Sequence, residues 1–594
     1  MSLSLLTEAL GRKRAAHLLR RTCFGASIAD IDTFAQLTPS EAFARLYDTT
    51  LPDPELPIDP ETGAEWVTTG TTDANSEDFN LQRFLEAWQV RHMLAADVGE
   101  DQKLAYSFRE RITFFMHTLF TTKSSVVGSS RAIYFQNALF RKYALDRDDW
   151  TRPNEEDPEL PDEVIPVNFV RLTNKICVDN AMLVFLDGRL NVKGSPNENF
   201  GRELMELYSI GRGLEGNLPQ SEYDGDYYNY TETDVQQAAR VLSGFNVDNT
   251  FSNIDDETGL PRGVIRGGTI ASSHDNGVKV FSERFDNAEI SPDPLLTANG
   301  SPTEESLLDE IAQLIDLIYS KNETALNICR RLYRFFVYHQ ISEAVQNDII
   351  QDMADVFIAN EFKLYPVLEA LFTSREFYEG VSGYNDDFFG SIIKSPIDLT
   401  VGFIKNFEMA VPDYPSAVAD RYSFSLSLLG WIGAQGMDYY EPYEVAGYPA
   451  YHQYPIYNRS WITTNYLTQR YDFVADTLRG GVTNAMGAPD LHAFVKANIE
   501  DSIARDAKSL IVALAEYFLP ISDFLSFEDS STSELTQERL SYFLDAFLYQ
   551  NNIDVDPEAA WTARWDGELD MEVTSVQLMN LFNALLQSPE YQLM

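Results

Sequence analysis

The sequence is poor in cysteine and in basic residues, and each shortage excludes a class of protein. Its three cysteines, Cys23, Cys177 and Cys329, are isolated and form no C-x-x-C spacing, which excludes a disulfide framework and a cysteine-rich zinc site. Lysine and arginine total 45 against 91 acidic residues, giving a formal charge of −46. This charge excludes nucleic acid and anionic membranes as partners, because both are themselves negatively charged.

Long apolar runs and common catalytic motifs are missing as well. No stretch reaches the ~18 apolar residues that a membrane span requires. Charged residues interrupt the N-terminal segment MSLSLLTEALGRKRAAHLLRR, where a cleavable export signal would need an apolar core. We therefore expect a protein without a membrane span that is cytoplasmic, or exported together with a partner. The sequence contains no P-loop, no GxSxG elbow, no HExxH and no dinucleotide fingerprint.

The most informative segment is residues 194–211, GSPNENFGRELMELYSIG. Asn197 predicts the start of a helix and Gly211 its end. Apolar residues at helical spacing form one stripe along this helix, and polar residues form a second stripe beside it. The polar stripe consists of Asn199, Glu203 and Glu206.

Two carboxylates beside a buried face need partners, because an unpaired buried charge is costly. Arg202 lies four residues after Glu198 and four before Glu206, so it is expected to form an ion pair on this helix. One interpretation is a salt-bridged helix that locks into a helical core. The other is a pair of metal-ligating or acid–base carboxylates.

A second polar element is the segment SSHDNGVK, residues 272–279. Its tight turn presents His274 and Asp275, which fit a pair of metal ligands or a base with its orienting acid. The alternative is an Asx-type turn with a surface histidine. Further back, His117 shares a helix face with Glu110, seven residues earlier.

We predict that these polar residues converge on one site. Its members would be Asn199, Glu203, Glu206, His274 and Asp275, with His117 as a further member. Carboxylate oxygens and imidazole nitrogens suit a divalent metal ion. Without a metal, Arg202 or Lys279 is expected to fill the gap as an ion pair.

Helical periodicity covers most of the chain and predicts a mostly α fold, a large multi-helix bundle-like architecture. Val264-Ile265 and the segment 278–281, with glycines around them, predict a short β-hairpin excursion near 245–285. The chain would then divide into an N-terminal helical region (1–244) with acidic loop insertions (51–80 and 146–167), a β-hairpin and loop excursion (245–300), and a C-terminal helical region (301–594) packed with the first as one domain.

Several segments resemble the bacterial "domain of unknown function 1800" family. The resemblance rests on HLLRRTCFG near the start, GSPNENFGRELMEL, YTETDV, HDNGVK, KSP and the closing NLFNALLQSPEYQLM. It extends over nearly the whole chain. The chain departs from the family at Leu119, where a second histidine is usual, and at Tyr448, where a tryptophan is usual.

The resemblance implies a mostly helical protein, often encoded beside a partner that resembles sulfatases and alkaline phosphatases. Two functions follow. The first is an accessory or assembly partner of such a sulfatase-like protein, with the aromatic segment 430–470 as its interface. The second is a metal-dependent enzyme, a hydrolase or oxidoreductase with a carboxylate and histidine site. The residues leave open whether the chain is an enzyme, and the first function is favoured because no complete catalytic set is visible.

Overall fold

Helices make up most of the structure. The computed structural model describes residues 3–71, 78–153, 161–218, 221–379, 392–482, 487–528, 533–549, 554–567 and 571–594. The chain is 55% helical and 5% strand, and its described residues form 27 α-helices. The prediction of a mostly α, multi-helix fold is therefore confirmed.

Eleven of the described helices precede the β excursion near 245–285. They are α1 (Gly11–Thr22), α2 (Ile28–Phe34), α3 (Pro39–Leu46), α4 (Asp78–Leu94), α5 (Lys103–Leu119), α6 (Ser124–Val127), α7 (Ser130–Tyr143), α8 (Phe169–Ile176), α9 (Asn180–Phe185), α10 (Glu198–Glu203) and α11 (Glu232–Val241). Helix starts carry local capping chemistry: Ser27 with Asp30 and Thr231 with Asp234 form capping boxes.

Sixteen helices follow. They are α12 (Glu304–Tyr319), α13 (Asn322–Phe336), α14 (Glu343–Val345), α15 (Gln351–Ala359), α16 (Leu364–Phe372), α17 (Arg375–Glu379), α18 (Pro396–Asn406), α19 (Val418–Ala434), α20 (Pro449–His452), α21 (Thr464–Gly480), α22 (Leu491–Asn498), α23 (Asp501–Ala504), α24 (Ala507–Phe518), α25 (Gln537–Leu548), α26 (Pro557–Trp565) and α27 (Met571–Leu586).

Three short antiparallel strand pairs accompany the helices. They are β1 (Trp150–Arg152) with β2 (Glu163–Ile165), β3 (Phe245–Asn246) with β4 (Val264–Ile265), and β5 (Lys279–Val280) with β6 (Glu289–Ile290). The predicted β excursion near 245–285 is present. Val264-Ile265 pairs with a strand before it and the 279–280 strand with one after it, so the excursion holds two pairs rather than a single hairpin.

The core joins the early and late helices. Buried apolar side chains form one continuous cluster that extends from Leu6 to Met594. Helix α4 packs on α19, α1 on α24, α3 on α16 and α5 on α13, so helices from both predicted helical regions cover the same core. The division at residues 244 and 300 remains a prediction. No helix in the described ranges is both long enough and apolar enough to cross a membrane.

The proline-rich segment 51–80 is attached to the helices through its backbone. Arg109 donates a hydrogen bond to the carbonyl of Pro52 (2.9 Å), and Trp88 Nε1 donates one to Glu55 (3.1 Å). These carbonyls satisfy donors that are otherwise buried. Helix α4 already begins at Asp78, inside the predicted loop.

The acidic segment 146–167 also contains more structure than a solvated loop. Its two ends pair as β1 and β2. Its first residue, Asp146, is buried and accepts hydrogen bonds from the backbone N–H of Leu364 and Tyr365 and from the Tyr47 hydroxyl. Asp146 therefore caps the N-terminus of α16, a helix more than two hundred residues later in the chain.

Candidate functional site

The signature segment begins as an α-helix and changes to a wider turn. The Asn197 side chain caps α10 by accepting a hydrogen bond from the Asn199 backbone (3.0 Å). After Glu203 the chain forms a π-helical turn over Leu204–Tyr208. The Ser209 hydroxyl donates to the Leu204 carbonyl (2.5 Å), across this turn. The regular helical spacing of the sequence did not predict this turn. Such π-turns occur frequently at functional sites.

Gly201 lets α10 lie directly against α11. A Cβ at this position would lie 3.0 Å from the Val235 carbonyl oxygen and 3.1 Å from the Ala239 backbone nitrogen. Phe200 and Leu204 are buried at the same contact. The polar stripe therefore lies at the edge of a closely packed helix pair.

Glu206 and Glu203 lie in different environments although they are one turn apart. The Glu206 carboxylate accepts hydrogen bonds from Arg212 (2.7 Å) and from the Tyr230 hydroxyl (3.3 Å). Glu203 is half-buried and has no ion-pair partner among the described residues. Burial, and next the negative charge of Glu206, raise the pKa of Glu203 to about 7, while Arg202 and Arg212 oppose the rise. A carboxyl with this pKa can both give and take a proton near neutral pH.

Arg202 forms its principal ion pair with α11 instead of with Glu206. Its guanidinium donates two hydrogen bonds to Glu232 (2.6 and 3.0 Å) and one to the Tyr227 hydroxyl (3.1 Å). The expected pair with Glu198 is longer, at 3.6 Å. Glu206 is paired with Arg212, a residue in the loop that follows the signature. The Asn199 amide donates to the Leu186 carbonyl (3.4 Å).

His274 lies in a fully buried polar cluster. Its Nε2 is 3.2 Å from the Glu310 carboxylate and 3.4 Å from the Lys279 ammonium, and its Nδ1 is 2.8 Å from the Ser243 carbonyl. Lys279 forms an ion pair with Glu310. Gly244, with φ +101°, allows this approach, because a Cβ there would lie 2.9 Å from the His274 Cβ. The histidine is therefore a core residue, and the alternative of a surface histidine is wrong.

Asp275 lies on the outer side of the same turn. Its carboxylate accepts a hydrogen bond from Arg240 Nε (2.7 Å) and one from the Gly277 backbone (3.0 Å). The hydrogen bond from Arg240 is the main reason that the pKa of Asp275 falls to about 2. The Gly277 bond is the Asx-type turn that the sequence offered as an alternative.

His117 lies beneath the aromatic segment. Its ring stacks on Tyr440 with a centroid distance of 3.9 Å, and its Nε2 is 3.4 Å from the Tyr448 hydroxyl. Burial lowers the pKa of His117 to about 3, so the ring is neutral. Tyr448, the departure from the family pattern, thus contacts the histidine through its hydroxyl.

The predicted site residues therefore belong to three separate groups. Within the described ranges, no hydrogen bond or ion pair joins the signature helix, the His274 turn and His117 to one another. Helix α11 connects the first two groups indirectly, since Glu232 at its start binds Arg202 and Arg240 near its end binds Asp275. The described residues contain no group of three or more His, Cys, Asp or Glu side chains that could hold a metal ion.

Comparison with known families identifies the chain. A family model described as "Protein of unknown function (DUF1800)" matches residues 17–593. The chain belongs to this family. The resemblance that the sequence motifs indicated is thus confirmed over nearly the full length of the DUF1800 protein. Comparisons with curated proteins and with solved structures gave no match.

Four residues that bind the predicted site residues in this DUF1800 protein were not predicted from the sequence. They are Glu310, which contacts His274, Arg240, which binds Asp275, Arg212, which binds Glu206, and Glu232, which lies within the YTETDV motif and binds Arg202. The sequence spacing could have identified Glu310. It lies three residues after Leu307 and four before Leu314, on the apolar face of α12. An acid on such a face requires a buried partner.

The aromatic segment of the DUF1800 protein is anchored by buried rings and exposes others. Tyr440, Tyr448 and Trp461 are buried. Five apolar side chains between residues 443 and 462 are exposed instead: Tyr443 (86%), Val445, Tyr454, Ile456 and Ile462. The buried rings hold the backbone, so the exposed side chains are presented on a fixed surface.

Proposed function

We propose that this chain is an accessory or assembly partner of a sulfatase- or alkaline-phosphatase-like protein, and that it binds its partner through residues 443–462. The observation that carries the proposal is the concentration of exposed apolar side chains in this segment, with Tyr443 the most exposed. Aromatic side chains exposed on a rigid support are typical of protein-binding surfaces.

The positions of the two predicted site histidines support a non-catalytic function. His117 and His274 are each 1% exposed. His117 lies under Tyr440, and His274 contacts Glu310 and Lys279. A substrate in solution would have to displace these neighbours to reach either imidazole. Both histidines therefore act in packing, the first of them directly below the proposed interface.

Coexpression with the sulfatase-like protein, the partner type that the family resemblance indicates, tests the proposal. The two proteins should elute together in size-exclusion chromatography. The double variant Tyr443→Ser/Val445→Ser should abolish coelution. A matched control, Tyr542→Ser/Val576→Ser, removes apolar side chains that are similarly exposed on α25 and α27 and should leave the complex intact. Separate elution of the unaltered proteins, or equal coelution of both variants, would contradict the proposal.

A second candidate is a metal-dependent hydrolase or oxidoreductase at the signature helix. The observation that favours it is the position of Glu203, whose pKa is raised first by burial and next by the negative charge of Glu206. A divalent cation between the two carboxylates would relieve the repulsion between them, and oxygen ligands suit such a cation.

Elemental analysis of purified protein tests this candidate. Stoichiometric metal that is retained after dialysis, and lost in Glu203→Gln, would support it. Glu198→Gln is the control, because Glu198 lies on the same helix and contacts Arg202 at 3.6 Å. Metal-free protein, or equal metal in both variants, would rule out a metal at this pair.

A further inference from the structure

A cavity of about 460 Å³ lies between α21, α25 and α27, in a part of the chain that the proposed interface does not include. Its volume is in the range of small-molecule sites in proteins. Helices α25 and α27 pack on each other, and each contributes one alanine, Ala546 or Ala584, to the lining. The methyl groups of these alanines leave a space between the two helices that larger side chains would fill.

The side of the cavity formed by α25 carries two exposed tyrosines. Tyr542 is 51% exposed, and Tyr549, which directly follows the last residue of α25, is 60% exposed. The two positions are seven residues apart, which is about two helical turns, so both rings lie on the same face. Because each residue of a helix advances the chain by about 1.5 Å, the two rings are separated by about 10.5 Å along α25.

The one charged side chain among the described residues that line the cavity, Arg539, is neutralised. Its guanidinium donates two hydrogen bonds to the Glu590 carboxylate, at 2.6 and 3.0 Å. The same guanidinium lies 5.5 Å from the centre of the Tyr542 ring. The described lining therefore offers a ligand no unpaired charge, although the whole chain carries a formal charge of −46.

The side of the cavity formed by α27 carries three amides. Asn580, Asn583 and Gln587 recur at helical spacing and are half-buried. Gln587 Nε2 donates a hydrogen bond to Asn583 Oδ1 (2.8 Å), which leaves the Gln587 oxygen as a free acceptor and the Asn583 nitrogen as a free donor. No described residue forms a hydrogen bond with the Asn580 amide. None of these unpaired amide atoms is enclosed by protein, so a ligand can reach them.

Neutral amides beside exposed aromatic rings match the chemistry of an uncharged sugar. Each sugar hydroxyl both donates and accepts hydrogen bonds, and the three amides supply both donors and acceptors. One face of a pyranose ring presents C–H groups that pack against an aromatic ring. A carboxylate or sulfate on the sugar would lose water in this cavity without gaining a free cation, which is costly. The separation of the two tyrosines is close to the length of a disaccharide unit in an extended chain.

We propose that this cavity is a binding site for a neutral, extended oligosaccharide of pyranose units. Tyr542 and Tyr549 pack against the faces of alternate sugar rings. Asn580, Asn583 and Gln587 form hydrogen bonds with the hydroxyls of the rings between α25 and α27.

Calorimetric titration of the full chain with cellotetraose, a neutral and extended chain of pyranose rings, tests the site. Glucose should bind at least about tenfold more weakly, because a single ring can contact only one of the two tyrosines. A galacturonate tetramer, which has a similar length but a carboxylate on every ring, should also bind at least about tenfold more weakly. Adenosine distinguishes a nucleoside site, since it is likewise flat, neutral and hydroxylated.

Three variants locate the binding. Tyr542→Ala removes an exposed ring, Asn580→Ala removes an unpaired amide, and Ala546→Trp fills the cavity. Each should weaken cellotetraose binding about fivefold or more, because a stacking contact, a hydrogen bond or the space for the ligand is lost. None of the three residues is fully buried, so the variants should fold, which their melting temperatures check. Tyr443→Ala, an exposed tyrosine outside the cavity, is the matched control and should leave the affinity unchanged.

Four results would overturn the proposal. The first is no binding of cellotetraose at about 10 mM, where a ligand with a Kd of ~1 mM would be close to saturation. The second is equal affinity for cellotetraose and for glucose or the galacturonate tetramer. The third is tighter binding of adenosine than of cellotetraose, and the fourth is unchanged cellotetraose affinity in all three cavity variants. None of these measurements needs a partner protein, so they stand or fall separately from the proposed interface.

Discussion

Lys279 and Glu310 form an ion pair in which neither side chain is exposed to solvent. His274 contacts both members, which places three polar groups inside an otherwise apolar contact between the His274 turn and α12. Burial lowers the pKa of Lys279, although the charge of Glu310 opposes this. The turn is thus held to the helix by a polar cluster whose members depend on one another.

Removing one member of this pair should be strongly destabilising. Lys279→Met leaves the Glu310 carboxylate buried without its cation, and such a loss typically costs about 3–5 kcal/mol. Urea denaturation would measure the change in the free energy of unfolding. The exposed pair Lys508 and Glu558 provides a control, and Lys508→Met should cost about 1 kcal/mol or less.

The double variant Lys279→Met/Glu310→Leu should cost clearly less than the sum of its two single variants. Residues in one ion-pair network show interaction energies of about 0.5–3 kcal/mol. Additive losses would mean that the two side chains do not depend on each other in the folded protein.

Glu203→Gln should stabilise the protein at alkaline pH. Because burial and Glu206 raise the pKa of Glu203 from 4.5 to about 7, the folded state retains a proton that the unfolded chain releases. The stability that Glu203 contributes is therefore complete below about pH 4.5 and is lost as the pH rises to about 7. Melting temperatures between pH 4 and pH 8 should fall less in Glu203→Gln than in the unaltered protein, and parallel curves would contradict the raised pKa.

If the signature helix were salt-bridged through Arg202, as one interpretation of the sequence had it, Glu203→Ala would break a buried ion pair and destabilise the protein. Arg202 binds Glu232 instead, so the basis for that expectation is gone. The pH series distinguishes a buried ion pair of Glu203 from a raised pKa of Glu203. If Glu203→Ala broke an ion pair, the loss of stability would be greatest at high pH, where Glu203 is charged.

Asp146→Ala should destabilise the protein more than Asp148→Ala does. The substitution leaves the Leu364 and Tyr365 backbone N–H groups at the start of α16 without their acceptor. Loss of a cap costs about 0.5–2 kcal/mol, and the buried Tyr47 hydroxyl loses a partner as well. The exposed Asp148 provides the control for thermal unfolding, and equal losses in Asp146→Ala and Asp148→Ala would refute the capping role.

Asp275→Asn should make the protein less sensitive to acid. The hydrogen bond from Arg240, more than any other contact, lowers the pKa of Asp275 from 3.8 to about 2. The resulting stability is present above about pH 3.8 and is lost as the pH falls through about 2. The Asp275 carboxylate is partly solvated, so the effect should be below about 1 kcal/mol and should shrink in high salt. An acid-unfolding curve identical to that of the unaltered chain would count against the Arg240 contact.

The sequence predicted those features of the fold that depend on local periodicity. Helices make up most of the chain, as periodicity predicted, and Asn197, the predicted helix start, is the cap of α10. The caps and stripes are visible because their partners lie within one or two turns. The aromatic segment was likewise identified as a surface from its composition, although its binding role remains a proposal.

The partners of the site residues could not be predicted, because they lie far away along the chain. Nothing near His274 indicates that Glu310, 36 residues later, will contact it. Asp146 and α16 are separated by even more residues along the chain. The π-turn was not predicted either, because ordinary helical spacing was assumed for Glu206. In the structure, Glu206 faces Arg212.

The π-turn at Leu204–Tyr208 has a consequence for the length of the chain. A π-turn accommodates one residue more than an α-turn of the same helix, so it is equivalent to a single-residue insertion in an otherwise regular helix. Each residue of an α-helix advances the chain by about 100°. Without the extra residue, every side chain after the turn would be rotated by that angle, and the chain leading to Arg212 would leave the helix in a different direction. The pairing of Glu206 with Arg212 therefore depends on the number of residues that precede it as well as on their chemistry.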